Sequence, residues 1–232
     1  MKQMLKFYVL TVVVAAVAAL ALSPTAGLED ALADLLALQA LALVTGLFVV
    51  GIPSLRVDVT TSHFFILVGL ATLGPLGAIL VGTAGVVGAA LGKPARPSPL
   101  RLVFNLGGIA LASTAASWTF SLTGGQPGQP LAESIGPLLL ANLVFLVVNS
   151  GLVATAITLD KQLPLATTFR NCFSLIFVPY LAGFTFAAAV LMVFDVSATW
   201  ALALALPPCW LLVVLYRASS ARETARLTDQ NA

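Results

Sequence analysis

The chain has 232 residues, of which 59% are hydrophobic and only 9% are charged, and its formal net charge is +2. Soluble domains carry about a quarter charged residues, so this composition excludes a soluble globular protein and predicts an integral membrane protein. The small net charge gives no electrostatic reason to expect a nucleic-acid partner. We therefore expect the lipid bilayer to surround most of the chain.

The first apolar segment, residues 5–22, has lysines at its start, at positions 2 and 6. Its length predicts a membrane-spanning helix, because about 20 apolar residues cross the hydrocarbon core. A basic start and the sequence Ala19-Leu20-Ala21 are also features of a cleaved signal peptide. We expect an uncleaved anchor, since the apolar stretch is longer than the core of a typical signal peptide. Cleavage is the alternative.

Five further spans are predicted along the chain. The second span follows the acidic residues at 29–34 and reaches Gly51, where Ile52-Pro53 stops it. The remaining four are residues 100–122, 135–159, 168–194 and 198–216. With the first segment they make about six spans.

The apolar region from Ser62 to Leu91 is too long for one simple span and contains the sequence Gly74-Pro75-Leu76-Gly77. Proline removes a backbone donor and clashes with the preceding turn, while glycine lets the chain bend. Two helices of about a dozen and about sixteen residues therefore fit this region better than one rod.

The basic residues of the short loops predict the orientation, because cytoplasmic loops are enriched in lysine and arginine. They fall at the N-terminus, in the loop 93–101 and in the tail after Tyr216. All three regions are cytoplasmic only if Ser62–Leu91 enters and leaves the membrane on the same side. The predicted fold is therefore an all-α polytopic bundle of about six spans plus a Gly-Pro-broken short helical hairpin, with both termini inside. Residues 1–218 form the membrane domain and residues 219–232 a polar cytoplasmic tail.

Amides and hydroxyls are the polar groups that fall inside the predicted spans. Asn142 and Asn149 are seven residues apart and therefore share one helix face. Counted from the inner ends of their helices, they match the depths of Ser117 and Ser113. We predict that these two helices are neighbours with their polar faces together, and we group Asn105 with this set. Hydrogen-bonded helix packing is the favoured interpretation, and a polar cavity for a small ligand is the alternative.

Three further residues are expected at the membrane interfaces: His63 at a helix entry, Arg101 at the inner headgroups, and Arg170 at a span end. A pH-sensing role for His63 is the alternative to a structural one. The sequence offers no metal-ligand spacing, no nucleotide-binding loop and no set of catalytic residues. We therefore expect no enzyme activity, no metal and no cofactor.

Three segments carry a family resemblance: GLATLGPLGAILVGTAGVVGAALG, RLVFNLGGIALASTAAS and LLLANLVFLVVNSGLVATAITL. Their order resembles that of a bacterial integral-membrane input domain found before HD-GYP phosphodiesterase, GGDEF or histidine-kinase domains. Arg101, Phe104, Asn105 and Asn149 match its motif residues. The resemblance covers residues 28–218 and implies a sensory role in the bacterial inner membrane without catalytic residues. Only RASSARETARLTDQNA follows Tyr216, so we expect either a stand-alone module that acts through a cytoplasmic signalling partner or a truncated piece of a longer protein.

The topology and the GPLGA sequence are also similar, more weakly, to the substrate-binding subunits of energy-coupling-factor transporters. This similarity implies a solute-binding subunit that needs an energising partner. A transport subunit should enclose a pocket near the outer face, whereas an input domain should offer its cytoplasmic side to a partner. The sequence leaves the ligand, the partner and an oligomeric state open.

Overall fold

The computed structural model describes residues 2–24, 28–52, 57–59, 62–93 and 96–194. Its helices are α1 (Lys2–Ala21), α2 (Leu32–Gly46), α3 (His63–Leu91), α4 (Pro99–Leu122), α5 (Leu131–Lys161) and α6 (Leu165–Phe194). Two short strands, β1 (Val50–Ile52) and β2 (Val57–Val59), pair antiparallel with Val50 opposite Val59. The predicted helical membrane fold is confirmed, and the strand pair was not predicted. The predicted span at 198–216 and the polar tail lie outside the described residues.

Five of the described helices are long and apolar enough to span a membrane: Gln3–Ala21, His63–Leu91, Pro99–Leu122, Leu131–Lys161 and Leu165–Val193. Four of them match predicted spans, and the fifth is the predicted hairpin region. Helix α2 has 15 residues and ends at Gly46 rather than near Gly51. The chain enters strand β1 at Val50, and a backbone that pairs in a strand ladder does not continue the helix. The number of spans stays a prediction.

Helix α3 is broken at Gly74, whose φ of 76° and ψ of −164° lie outside the helical region. Glycine adopts this conformation without a Cβ penalty. The two arms, residues 63–73 and 75–91, then run side by side: a Cβ atom on Gly69 would lie 3.3 Å from Val81, and one on Gly82 would lie 3.1 Å from Ile66. In an unbroken helix these pairs would be about 18 and 24 Å apart. The predicted Gly-Pro-broken hairpin is confirmed.

The first arm of the hairpin occupies the centre of the bundle. Every residue from Ser62 to Ala71 is buried. A helix that is apolar on all sides is stable only when other helices surround it. Helices α2, α4 and α6 pack against α3, and within α3 the second arm packs against the first. The core of the protein is therefore built around a short helix with no polar face.

Glycines let α2 and the second arm approach at backbone distance. A Cβ atom on Gly88 would overlap the carbonyl oxygen of Leu43, and one on Gly92 would overlap that of Leu47. The residue numbers increase in the same direction in both pairs, so the two helices are parallel. This small-residue stripe at 82–92 is a helix-packing surface.

Helix α4 packs between α1 and α5. Gly107 lies against Val12 of α1, where a Cβ atom would be 3.2 Å away, and the rings of Tyr8 and Phe104 are 6.0 Å apart. On the other side Gly108 lies near Leu152 of α5. Each glycine therefore lies at a different helix contact of α4, Gly107 at the contact with α1 and Gly108 at the contact with α5.

The two ends of the bundle differ in their chemistry. The turn at 123–130 lies beside the hairpin bend, because the Gly128 amide donates to the Ala71 carbonyl at 2.8 Å and Pro127 contacts Gly74. We call this the turn end. Helix α4 begins at the opposite end, where the Ser98 side chain accepts from the Arg101 amide. This opposite end also carries Lys93 and Asp160, and we call it the charged end.

The hairpin geometry predicts a specific disulfide. In a background with Cys172→Ser and Cys209→Ser, the pair Gly69→Cys and Val81→Cys should cross-link readily under mild oxidation, because these positions touch across the hairpin. The matched pair Gly69→Cys and Ala89→Cys lies about 12 Å further along the second arm and should not cross-link. Gel mobility with and without reductant measures both; equal cross-linking would contradict the hairpin.

The close helix contact predicts that Gly88→Ala destabilises the protein by about 1–3 kcal/mol, because the new methyl group meets the Leu43 backbone. Gly151→Ala is the matched control, since no atom lies within 4 Å of the Cβ position there. That control should be neutral or stabilising by up to about 1 kcal/mol through helix propensity. Unfolding in mixed detergent micelles compares the two; similar losses for both variants would refute the packing interpretation.

Candidate functional site

A cavity of about 450 Å³ lies in the half of the bundle nearest the charged end. Residues of α1, both arms of α3, α4, α5 and α6 form its wall. Its size is within the range of small-molecule sites, roughly 300–1,000 Å³.

The short first arm of the hairpin explains why this space exists. The arm starts at Ser62, beside Gly85 of the second arm, and 11 residues extend only about 16 Å towards the turn end. The second arm continues for six residues beyond Gly85, about 9 Å towards the charged end. Helix α3 therefore contributes two arms to the half of the bundle nearest the turn end and one arm to the half nearest the charged end. His63 lies where the first arm begins, at the boundary between these halves.

The floor of the cavity is polar and uncharged. Asn149, Ser150 and Tyr180 line it, and Asn149 lies eleven residues, or about 16 Å, deeper than Asp160 on the same helix. The Asn149 amide donates to the Tyr180 hydroxyl at 3.2 Å. This bond joins α5 to α6 at the bottom of the cavity.

His63 lines the cavity beside this bond. Its imidazole ring stacks on the phenol ring of Tyr180, with 4.1 Å between centroids and 13° between planes. Gly183, one helical turn along α6, leaves the room that the ring needs, because a Cβ atom there would overlap Nε2 of His63. His63 is 8% exposed. The contact with Tyr180 is buried, and the position of His63 at a membrane interface stays a prediction.

Asn105 lines the cavity from α4 and is only partly buried. Within the described ranges its side chain makes no hydrogen bond. The sequence offers a packing role and a ligand-binding role for Asn105, and both stay predictions.

Asn142 lies outside the cavity and is 1% exposed. Its amide donates to the backbone carbonyl of Tyr180 at 3.5 Å, a long and therefore weak hydrogen bond. Ser113 and Ser117 are also buried away from the cavity, and the Ser117 hydroxyl donates to the Ser113 carbonyl of its own helix at 2.7 Å.

The predicted arrangement of these polar faces needs a correction. Helices α4 and α5 are neighbours, as expected, but the asparagine amides of α5 donate to α6 rather than to the serines of α4. The physical reason is that α5 lies between two helices, and Tyr180 of α6 offers it both a hydroxyl and a carbonyl. Sequence reasoning missed Tyr180; its signal was a phenol inside an apolar helix beside Pro179.

The part of the cavity nearest the charged end carries charge, and we call this part the mouth. Lys93, Arg101 and Asp160 line it, and Arg101 and Asp160 are exposed. Arg170 is exposed on α6 and does not line the cavity. Whether Arg101 and Arg170 reach lipid headgroups stays a prediction.

The described residues contain no group of three or more histidine, cysteine, aspartate or glutamate side chains that could hold a metal ion. The cavity offers hydrogen-bond donors and acceptors on an otherwise mostly apolar wall. This arrangement is suited to binding a small molecule.

A comparison with protein families identifies the family. The sequence matches MASE9 over residues 5–218. The chain belongs to the MASE9 family. MASE domains are membrane-associated sensory domains and are not an enzyme family. No curated protein and no solved structure matches the chain.

This membership confirms the coarse part of the predicted resemblance, a membrane-associated sensory domain. The type of output domain and the similarity to transport subunits are not part of what the family match supports.

The contacts of Tyr180 predict two different losses of stability. Tyr180→Phe removes the hydroxyl that accepts from Asn149 and keeps the ring on His63, so it should cost about 0.6 kcal/mol, the average for interhelical hydrogen bonds in membranes. Tyr180→Ala also removes the buried ring and should cost about 3–5 kcal/mol. Detergent unfolding of both variants checks this ratio; equal losses would mean that the ring contact contributes nothing.

Proposed function

We propose that this MASE9 chain is a sensory input module of the bacterial cytoplasmic membrane that acts through a signalling protein at its charged end. Family membership supports the sensory role. The carrying observation is that the cavity mouth and the exposed basic residues share that end. A molecule in the cavity and a protein at the charged end would then be close enough to influence each other.

The positive-inside rule supports a cytoplasmic location for the charged end. Lys93, Arg96 and Arg101 lie there, while the turn at 123–130 at the opposite end has no basic residue. The N-terminus of α1 shares the charged end, because Tyr8 contacts Phe104 and its hydroxyl donates to the Leu152 carbonyl at 3.1 Å. The proposed orientation therefore has the N-terminus inside.

The proposed partner carries an output domain of the HD-GYP, GGDEF or histidine-kinase type. It is either a separate protein or a domain of the same polypeptide. The transport alternative is not favoured, because a solute-capturing subunit needs its pocket near the outer face, whereas this cavity lies in the half of the bundle nearest the charged end.

Site-specific photo-cross-linking in living cells tests this proposal. A photoreactive amino acid at Arg96 should capture a protein that mass spectrometry identifies as a signalling enzyme of one of these three types. The matched position Gln126 is equally exposed and lies at the turn end, so it should not capture that protein. Capture of the signalling enzyme at Gln126 would contradict the proposed orientation, and capture of a transport ATPase at Arg96 would support the alternative function.

A further inference from the structure

The hydrogen-bonding groups around the cavity differ with depth. Among the described residues, the charged side chains that line the cavity are Lys93, Arg101 and Asp160, and they lie at the mouth. The floor is formed by an amide, a phenol and a hydroxyl, from Asn149, Tyr180 and Ser150. Between mouth and floor the wall is mostly apolar. A bound molecule would therefore meet charge only at the entrance.

The floor has unused hydrogen-bonding capacity. Asn149 donates one amide hydrogen to Tyr180, which leaves its carbonyl oxygen as an acceptor and the phenolic hydrogen of Tyr180 as a donor. Among the described residues the buried Ser150 hydroxyl has no hydrogen-bond partner. Buried polar groups are normally paired, and each exception requires an explanation. The Ser150 oxygen has less than 1 Å² of accessible surface, so the contacts to a ligand rest on Asn149 and Tyr180.

The charge of the ligand follows from the same groups. A carboxylate or an ammonium group at the floor would lose its hydration, which is costly, because the lysine, arginine and aspartate side chains of the described lining lie at the mouth. A hydroxyl group can instead accept from Tyr180 and donate to Asn149, and a carbonyl can accept from Tyr180. The apolar wall takes a hydrocarbon body, whose burial favours binding.

We infer that the cavity is a binding site for a small, neutral, largely apolar organic molecule with a hydroxyl or carbonyl group, bound with its oxygen at Tyr180 and Asn149. This inference rests on the proposed sensory function and names the class of molecule that would be sensed. Such molecules dissolve in lipid, so the membrane itself can supply them.

Three fused-ring probes of the same size distinguish the possible ligand types. 2-Naphthol is neutral and has one hydroxyl, naphthalene lacks any polar group, and 2-naphthoate is an anion at neutral pH. The full chain in lipid nanodiscs is equilibrated with each probe, and empty nanodiscs correct for partition into lipid. 2-Naphthol should bind saturably and about tenfold more tightly than naphthalene, which corresponds to about 1.4 kcal/mol. 2-Naphthoate should bind least.

Two pairs of variants locate the binding. Tyr180→Phe should weaken 2-naphthol about fivefold, as expected for one hydrogen bond, and leave naphthalene unchanged. Ser117→Ala is the matched control, because it also removes one buried hydroxyl, but away from the cavity; it should change neither.

Gly108→Leu should abolish binding by filling the cavity, since only Leu152 approaches the Cβ position, at 3.9 Å. Gly136→Leu, on an exposed face with open space, is its control. This pair keeps the test valid if Tyr180→Phe unfolds the protein.

Three results would overturn the inference. They are equal affinity for naphthalene and 2-naphthol, tightest binding of 2-naphthoate, and undiminished 2-naphthol binding by Gly108→Leu. Failure here is separable from failure of the proposed function, because cross-linking at Arg96 detects the protein partner without any probe. A chain that captures the signalling enzyme but binds no 2-naphthol would refute only the ligand class.

Discussion

The bend at Gly74 is the constraint on which the rest of the structure depends. It turns an apolar stretch of 29 residues back on itself and puts a helix without a polar face at the centre of the bundle. The surrounding helices must then approach closely, and the glycines of the second arm permit this at Leu43 and Leu47. A straight helix over the same residues would not place a buried apolar arm at the centre of the bundle. It would also put the basic loop after Leu91 on the opposite side of the membrane from the lysines of the N-terminus.

The cavity follows from the same bend. The first arm is shorter than the second, so helix α3 fills one half of the bundle with two arms and the other half with one. The polar residues at the floor then surround the start of the short arm, where His63 stacks on Tyr180. Packing and cavity are therefore two results of one sequence feature: where the arms overlap the protein is dense, and where they do not it has room for a small molecule.

The sequence predicts the parts of this fold that depend on local chemistry. The Gly74-Pro75 sequence predicts the bend. The lengths of the apolar segments predict the positions of α1, α4, α5 and α6 to within a few residues. It does not predict the end of α2 at Gly46, because the strand pair that ends it depends on two short segments meeting. The seven-residue spacing of Asn142 and Asn149 predicts a shared face, yet a helix with neighbours on both sides does not reveal which one that face meets. Tyr180 resolves this choice, and only the tertiary structure brings it to both asparagines.

Tyr180 is the residue through which the cavity and the helix packing are connected. Its hydroxyl accepts from Asn149 at the floor, its carbonyl accepts from Asn142 outside the cavity, and its ring covers His63 of the buried arm. Through its side chain and its backbone carbonyl, this one residue of α6 therefore contacts both α3 and α5. A change in the hydrogen bonding of the Tyr180 hydroxyl is consequently also a change at the junction of α3, α5 and α6. Under the proposed sensory function, occupancy of the cavity would alter helix contacts, because the group that faces the cavity is itself part of the packing.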